Sequence, residues 1–235
     1  TKIKGDNWSG EDFNQHVLAM MGTTSRNLKI TLANAHQELG AEQLESSFVA
    51  AREVLPPEKV FEMFSPYLSA KVNEKKKQTD PAYLKRETII DAMGGNYFWR
   101  HHEREKPLDP RWIEIAVQIR HIGLIHALNA KNHPGANAFL KEEFDETIKK
   151  AKSLDQIHSL ITTMVRVEHP DATDAFLTSF EKLGKKANYY SYWYSQLVSE
   201  LPKSAIPKLE AILPTLSDRD ADIWLGAIER LRGSK

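Results

Sequence analysis

Two stretches of this chain nearly coincide. His133 to Ala151 reads HPGANAFLKEEFDETIKKA, and His169 to Ala187 reads HPDATDAFLTSFEKLGKKA. His133-Pro134, Phe144 and Lys149-Lys150-Ala151 recur 36 residues later as His169-Pro170, Phe180 and Lys185-Lys186-Ala187. Ala138-Phe139-Leu140 recurs as Ala175-Phe176-Leu177, one residue out of step, a slip that a loop or first turn absorbs. Internal periods of this length constrain a fold strongly, because each unit must share its core with the next.

Each copy reads as a helix. Proline suits a first helical turn, where a missing N–H costs nothing. Phe139, Leu140, Phe144 and Ile148 fall at helical spacing, as do Phe176, Leu177, Phe180 and Leu183. Lysines gather at each C-terminal end, where they favour the helix dipole. Behind each copy lies a second apolar-periodic segment: Ile157, Leu160, Ile161, Met164 and Val165, then Tyr190, Trp193, Leu197, Val198 and Leu201. The unit is therefore a helical hairpin that repeats as a whole. Pro202 to Leu216 and Ser217 to Leu231 predict a further hairpin, with Ser217-Asp218 as the cap of its second helix. Asp109 to Ile119 and Gly123 to Ala130 predict another, with Asp109 as N-cap and Pro110 at the first helical position. Ala41 to Leu55 pairs with Pro57 to Val72, and Glu11 to Met21 and Ser25 to Leu39 read as two more helices. No alternating strand pattern of useful length occurs.

Two segments break the rhythm. NEKKKQTDP (Asn73 to Pro81) reads as an exposed charged linker. GGNYFWRHHEREKP (Gly94 to Pro107) sets Tyr97, Phe98, Trp99 and two histidines between a glycine pair and a proline, and reads as an insertion. The expected organisation is thus N-terminal helical hairpins over 1–93, an irregular aromatic and histidine-bearing insertion over 94–108, and C-terminal repeats over 109–235, in one continuous solenoid.

The hairpin length, the proline near its start and the HPDATDAFL pattern of its first helix resemble a HEAT-type repeat. The resemblance is closest over 109–232 and mainly architectural over 9–93. The C-terminal part also resembles repeat modules of long bacterial proteins. The fold this implies is all-α, an α–α superhelix of about six stacked helical hairpins. Such arrays bind other macromolecules along a groove, and no catalytic motif comes with the resemblance.

Composition narrows the function classes. Lys+Arg and Asp+Glu each number 32, so the net charge is zero, which disfavours a general nucleic-acid binder. Cysteine is absent, which removes disulfides, thiolate metal sites and a cysteine nucleophile. No apolar run of membrane-spanning length occurs, and the opening residues TKIKGDNWSGEDF have no signal-peptide core. A cytoplasmic protein that does not engage membranes is the expectation.

The residues that suggest chemistry are few. WRHHERE (Trp99 to Glu105) offers His101 and His102 with Glu103 and Glu105, but adjacent histidines diverge and no HExxH-like spacing is present. His121 and His126 lie five apart, which is poor for a two-ligand site on a helix. His133 and His169 recur with the repeat, which assigns them a structural task at the turns. Lys75 to Lys77, Lys149 to Lys152 and Lys182 to Lys186 are basic runs, the last two at equivalent repeat positions but interleaved with Glu142, Glu143, Asp145, Glu146 and Glu181. YYSYWYSQL (Tyr189 to Leu197) carries more aromatics than one helix face can bury. Aromatics are enriched at binding hot spots, so Tyr190, Trp193 and Tyr194, with Trp99 from the insertion, are the expected partner contacts.

The expectation is a non-catalytic scaffold, needing no cofactor or metal, that binds a protein partner or another part of its own longer chain. The alternative is nucleic-acid binding, resembling HEAT-like DNA alkylation-repair proteins, supported by the lysine and aromatic grouping between Lys182 and Trp193. A metal-dependent enzyme built on His101 and His102 is a third reading; it needs partners converging from distant hairpins.

Overall fold

The structure is a computed structural model that describes residues 41–77, 79–94, 108–183 and 191–233. Among the described residues it contains eleven α-helices, four short 3₁₀ turns and no β-strand. None of these helices is long and apolar enough to cross a membrane. The chain divides into two compact units, residues 1–128 and 129–235. The boundary falls inside the 109–235 segment, at the polar run Asn129 to Asn132. The helices expected over 11–21 and 25–39, and residues 95–107 of the insertion, lie outside the described residues.

The first unit contains α1 (Ala41–Val54), α2 (Pro57–Ser69), α3 (Pro81–Ala92), α4 (Arg111–Gln118) and α5 (Ile122–Ala127). Helices α1 and α2 pack together, as their apolar spacing predicts, and both pack on α3; α2 also packs on α4, and α4 on α5. Leu44, Phe48, Val60, Phe64, Leu68, Ile89, Ile90, Met93 and Trp112 form the core. Phe48 stands edge-on to Phe64 at 5.2 Å between ring centroids, and Phe61 edge-on to Trp112 at 4.9 Å. The start of α4 is fixed by Asp109, whose Oδ1 accepts the Arg111 backbone N–H at 2.9 Å. Its carboxylate also takes a two-point bond from the Arg111 guanidinium, which lies 4.2 Å over the Phe61 ring. That guanidinium holds the Asp109 carboxyl below its usual range.

Helix α3 has no counterpart in the expected hairpins. Its start was readable: Asp80-Pro81 repeats the Asp109-Pro110 signature, and Asp80 Oδ1 accepts the Ala82 N–H at 3.0 Å. The expected linker, Asn73 to Pro81, takes in the first residue of this helix. Residues Glu74–Lys76 of that linker form a 3₁₀ turn, and Lys71, Lys75, Lys76 and Lys77 are exposed.

The second unit contains α6 (Pro134–Lys150), α7 (His158–Arg166), α8 (Ala172–Leu183), α9 (Ser191–Glu200), α10 (Ile206–Ile212) and α11 (Asp218–Gly233). Helix α6 packs on α7, α7 on both α8 and α9, and α9 most extensively on α11, which also contacts α10. Thus α9 lies against both α7 and α11. The stripe Ala136, Phe139, Leu140 and Phe144 buries one face of α6. Leu160, Ile161, Met164 and Val165 do the same for α7, and Trp224, Ala227, Ile228 and Leu231 for α11. Ser217 Oγ accepts the Asp220 N–H at 3.3 Å, as its place before α11 predicts.

Candidate functional site

The corners between helices are built from histidine. After α4, Arg120 adopts the left-handed conformation (φ 54°), its N–H bonds to the Val117 carbonyl, and the His121 N–H reaches back to Ala116. After α7, Glu168 does the same (φ 57°), with bonds from Glu168 to Val165 and from His169 to Met164. Both are Schellman closures with a non-glycine residue in the left-handed position. The histidine that completes each closure then bonds the backbone just ahead of it: within α5 for His121, in the turn before α8 for His169. His121 Nδ1 accepts the Leu124 N–H at 3.0 Å, and His169 Nδ1 accepts the Asp171 N–H at 2.9 Å. At the start of α6, Asn132 is left-handed (φ 55°) and His133 Nδ1 accepts the Ala136 N–H at 3.2 Å.

His169 does more than cap. With Nδ1 accepting, its proton resides on Nε2, which donates to the Asn137 carbonyl of α6 at 3.0 Å. This bond joins one hairpin to the preceding one. Other links run in the same sense: Lys131 pairs with Glu168, Lys208 with Asp174, and the Lys182 ammonium donates to the Ile148 and Lys149 carbonyls at the end of α6. Lys182, part of the anticipated basic ladder, is thereby occupied in closing a helix end.

The aromatic cluster of the second unit lies between α8, α9 and α11. Phe180 and Trp224 approach to 4.7 Å between centroids, Phe180 and Tyr194 to 5.1 Å, and Phe176 and Tyr194 to 5.4 Å. Tyr194 was expected to face a partner. Instead only 1% of its surface is exposed, and it is part of the core. The reason is periodic: Tyr194, Leu197, Val198 and Leu201 are all buried and complete an i, i+3, i+4, i+7 stripe. Its hydroxyl is buried without a geometrically satisfied hydrogen bond, and the adjacent Ser179 hydroxyl donates to the Phe176 carbonyl at 2.7 Å. Burial pushes the Tyr194 phenol up to about 12.

Trp193 occupies a different position. It is half-buried, stands edge-on to His158 at 5.6 Å and contacts Tyr194 at 4.8 Å. His158 opens α7 and is itself half-buried, with Ser159 Oγ 3.3 Å from its Nδ1. Sequence reasoning missed His158, although its place at the start of the second apolar segment was visible. Of the four expected partner contacts, Trp193 alone is both described and partly accessible. Tyr190 and Trp99 lie outside the described residues, as do His101 and His102.

In the same unit, Glu146, Thr147, Lys150, Ala151 and Gln156 line an open hollow of about 200 Å³. Gln156 is committed there to the Lys152 and Ser153 backbone N–H groups at 2.7 and 3.4 Å. The hollow offers one carboxylate and one ammonium and no aromatic wall. No group of three or more His, Asp or Glu side chains is placed to hold a metal ion among the described residues.

Burial is the largest influence on both His121 and His158, and it lowers their pKa from 6.5 despite nearby carboxylates. A lowered histidine pKa means that the unfolded chain binds more protons below about pH 6.5. The stabilisation from these neutral rings is complete above that pH and falls as the pH drops towards the folded-state values. Urea unfolding across a pH series should therefore show stability declining from about pH 7 to pH 5. The slope should be shallower in a His121→Asn/His158→Gln variant. Identical slopes in the two proteins would refute the assignment.

Comparison with known proteins finds no matching family model, no matching curated protein and no matching solved structure.

Proposed function

We propose that this chain is a non-catalytic, cytoplasmic helical-repeat scaffold of HEAT type that binds a protein partner, or another part of its own longer chain. The complement of about six hairpins, wound as an α–α superhelix, belongs to the same proposal. The observation that carries it is the packing of α9 against both α7 and α11, tied hairpin to hairpin by His169, Lys131 and Lys208. Such stacking yields a rigid edge, and Trp193 with His158 places a partly accessible aromatic pair on it. Rigid aromatics supply contact area at low entropic cost. Nucleic-acid binding is the weaker reading, because Lys131, Lys141 and Lys208 are paired with carboxylates and Lys182 with helix carbonyls.

The test is a pull-down from source-cell lysate with wild type and a Tyr190→Ala/Trp193→Ala variant, after circular dichroism has shown both to be folded. A protein captured by wild type alone, with or without nuclease, is the expected result. Capture lost on nuclease treatment would favour nucleic acid. Equal capture by both proteins would remove Trp193 and Tyr190 from the binding edge.

A further inference from the structure

The charged segment between α2 and α3 is not the slack linker its composition suggests. Its neck is closed by the Asp80 carboxylate, which accepts the Asn73 N–H as well as that of Ala82. Inside the loop, Asn73 Oδ1 accepts the Lys75 N–H at 3.1 Å, and the Thr79 and Asp80 N–H groups both bond to the Lys76 carbonyl at 2.9 Å. Outside it, the Arg86 guanidinium donates to the Ala70 carbonyl at the end of α2. Lys85 lies 5.8 Å from the Tyr67 ring centroid and Lys77 5.5 Å from that of Tyr83. The end of α2, the loop and the start of α3 are thus fastened together.

What this fastening displays is positive charge. Lys71 to Arg86 holds six basic residues against two acidic ones, a local net charge of +4 in a neutral chain. One of the two acids, Asp80, is consumed by the neck. Among the described residues no carboxylate pairs with Lys71, Lys75 or Lys76. An unbalanced cluster held rigid at an exposed turn costs little further ordering when an opposite charge arrives.

We propose that this loop is a second docking point, which takes an acidic segment of a protein through Lys71, Lys75, Lys76 and Lys77. The inference rests on the proposed function only in taking the partner to be a protein, and it concerns a different unit from the Trp193 edge. Two observations favour a short acidic peptide over a nucleic-acid strand. The Tyr67 and Tyr83 rings already carry lysines, so they do not offer themselves as bare stacking platforms. Elsewhere in the same unit, among the described residues, Lys59 pairs with Glu62 and Arg111 with Asp109, so those cations are balanced where the loop lysines are not. A long polyphosphate backbone needs an extended basic track.

The experiment uses the full chain and fluorescence anisotropy with a labelled poly-glutamate peptide, alongside a single-stranded oligonucleotide of equal charge. Three proteins are compared: wild type, Lys75→Glu/Lys76→Glu/Lys77→Glu, and Lys149→Glu/Lys150→Glu/Lys152→Glu, which makes the same change in net charge in the other unit. Wild type should bind the peptide in a salt-sensitive manner and more tightly than the oligonucleotide. The loop variant should lose about tenfold or more in affinity, and the control should lose little, since each exposed charge pair contributes modestly and reversal makes each contact repulsive. Equal losses in the two variants, an unaffected loop variant, or preference for the oligonucleotide would each overturn the proposal. None of these outcomes bears on the Trp193 pull-down, so the two readings fail separately.

Discussion

Replacing Trp224 with alanine is expected to destabilise the second unit by about 3–5 kcal/mol, the range for removing a large buried aromatic. Trp224 is buried, and its ring is shared by Phe176, Phe180 and Tyr194 at 5.6, 4.7 and 6.3 Å. The indole therefore fills the space where α8, α9 and α11 meet. The companion change is Tyr194→Phe, which keeps the ring and deletes a buried hydroxyl that lacks a satisfied bond. Such a group costs about 1–3 kcal/mol, so this variant should match or exceed wild type. Both are read from urea denaturation followed by circular dichroism. A cost below about 1 kcal/mol for Trp224→Ala would mean that the cluster is not core. A clear loss for Tyr194→Phe would mean that Ser179 holds the phenol after all.

His169→Ala should have the next largest effect, about 1–3 kcal/mol. Loss of an N-cap costs about 0.5–2 kcal/mol, and loss of a neutral hydrogen bond about 0.5–1.5 kcal/mol. The second contribution is the bond to Asn137, which joins successive hairpins. His169→Asn separates the two, because asparagine caps well but is too short to span both partners. Its cost should fall between wild type and alanine. If asparagine proved as damaging as alanine, the bond between hairpins would carry the whole effect; if harmless, that bond would contribute nothing.

The repeat made much of the second unit legible. Pro134 and Lys150 bound α6 where the sequence placed them, because proline, histidine and the terminal lysines are local signals. The one-residue slip between the copies is also explained. His133 caps the residue three places on, whereas His169 caps the residue two places on, and α8 begins later relative to its proline. The slip is absorbed at the cap. Helix α3 was missed because its buried residues, Ile89, Ile90 and Met93, crowd its C-terminal end rather than forming a stripe, and Leu84 is exposed. Tyr194 and Trp193 were placed together because a run of aromatics satisfies several faces at once. What separates them is the ring set of Phe176, Phe180 and Trp224, contributed by other helices. The stripe of Tyr194, Leu197, Val198 and Leu201 fits a buried face, but Trp193, Leu197 and Leu201 are at helical spacing as well, and only those neighbours decide between the two rings. His158 went unnoticed for a related reason: its significance comes from Trp193, 35 residues away.

At residues 119–121 the chain turns a corner with no spare residue: α4 ends at Gln118 and α5 begins at Ile122. His121 finishes the closure of one helix and begins the next, so the joint has a fixed length. Adding or deleting one residue there would rotate the following helix by about 100°, carrying its apolar stripe from the core towards water. The corner at 167–169 is looser: Pro170 and Asp171 stand between His169 and the start of α8, and the extra residue of the second copy is accommodated there. The histidine joint before α5 thus fixes the register of that helix, while the joint before α8 leaves room for the sequence to vary.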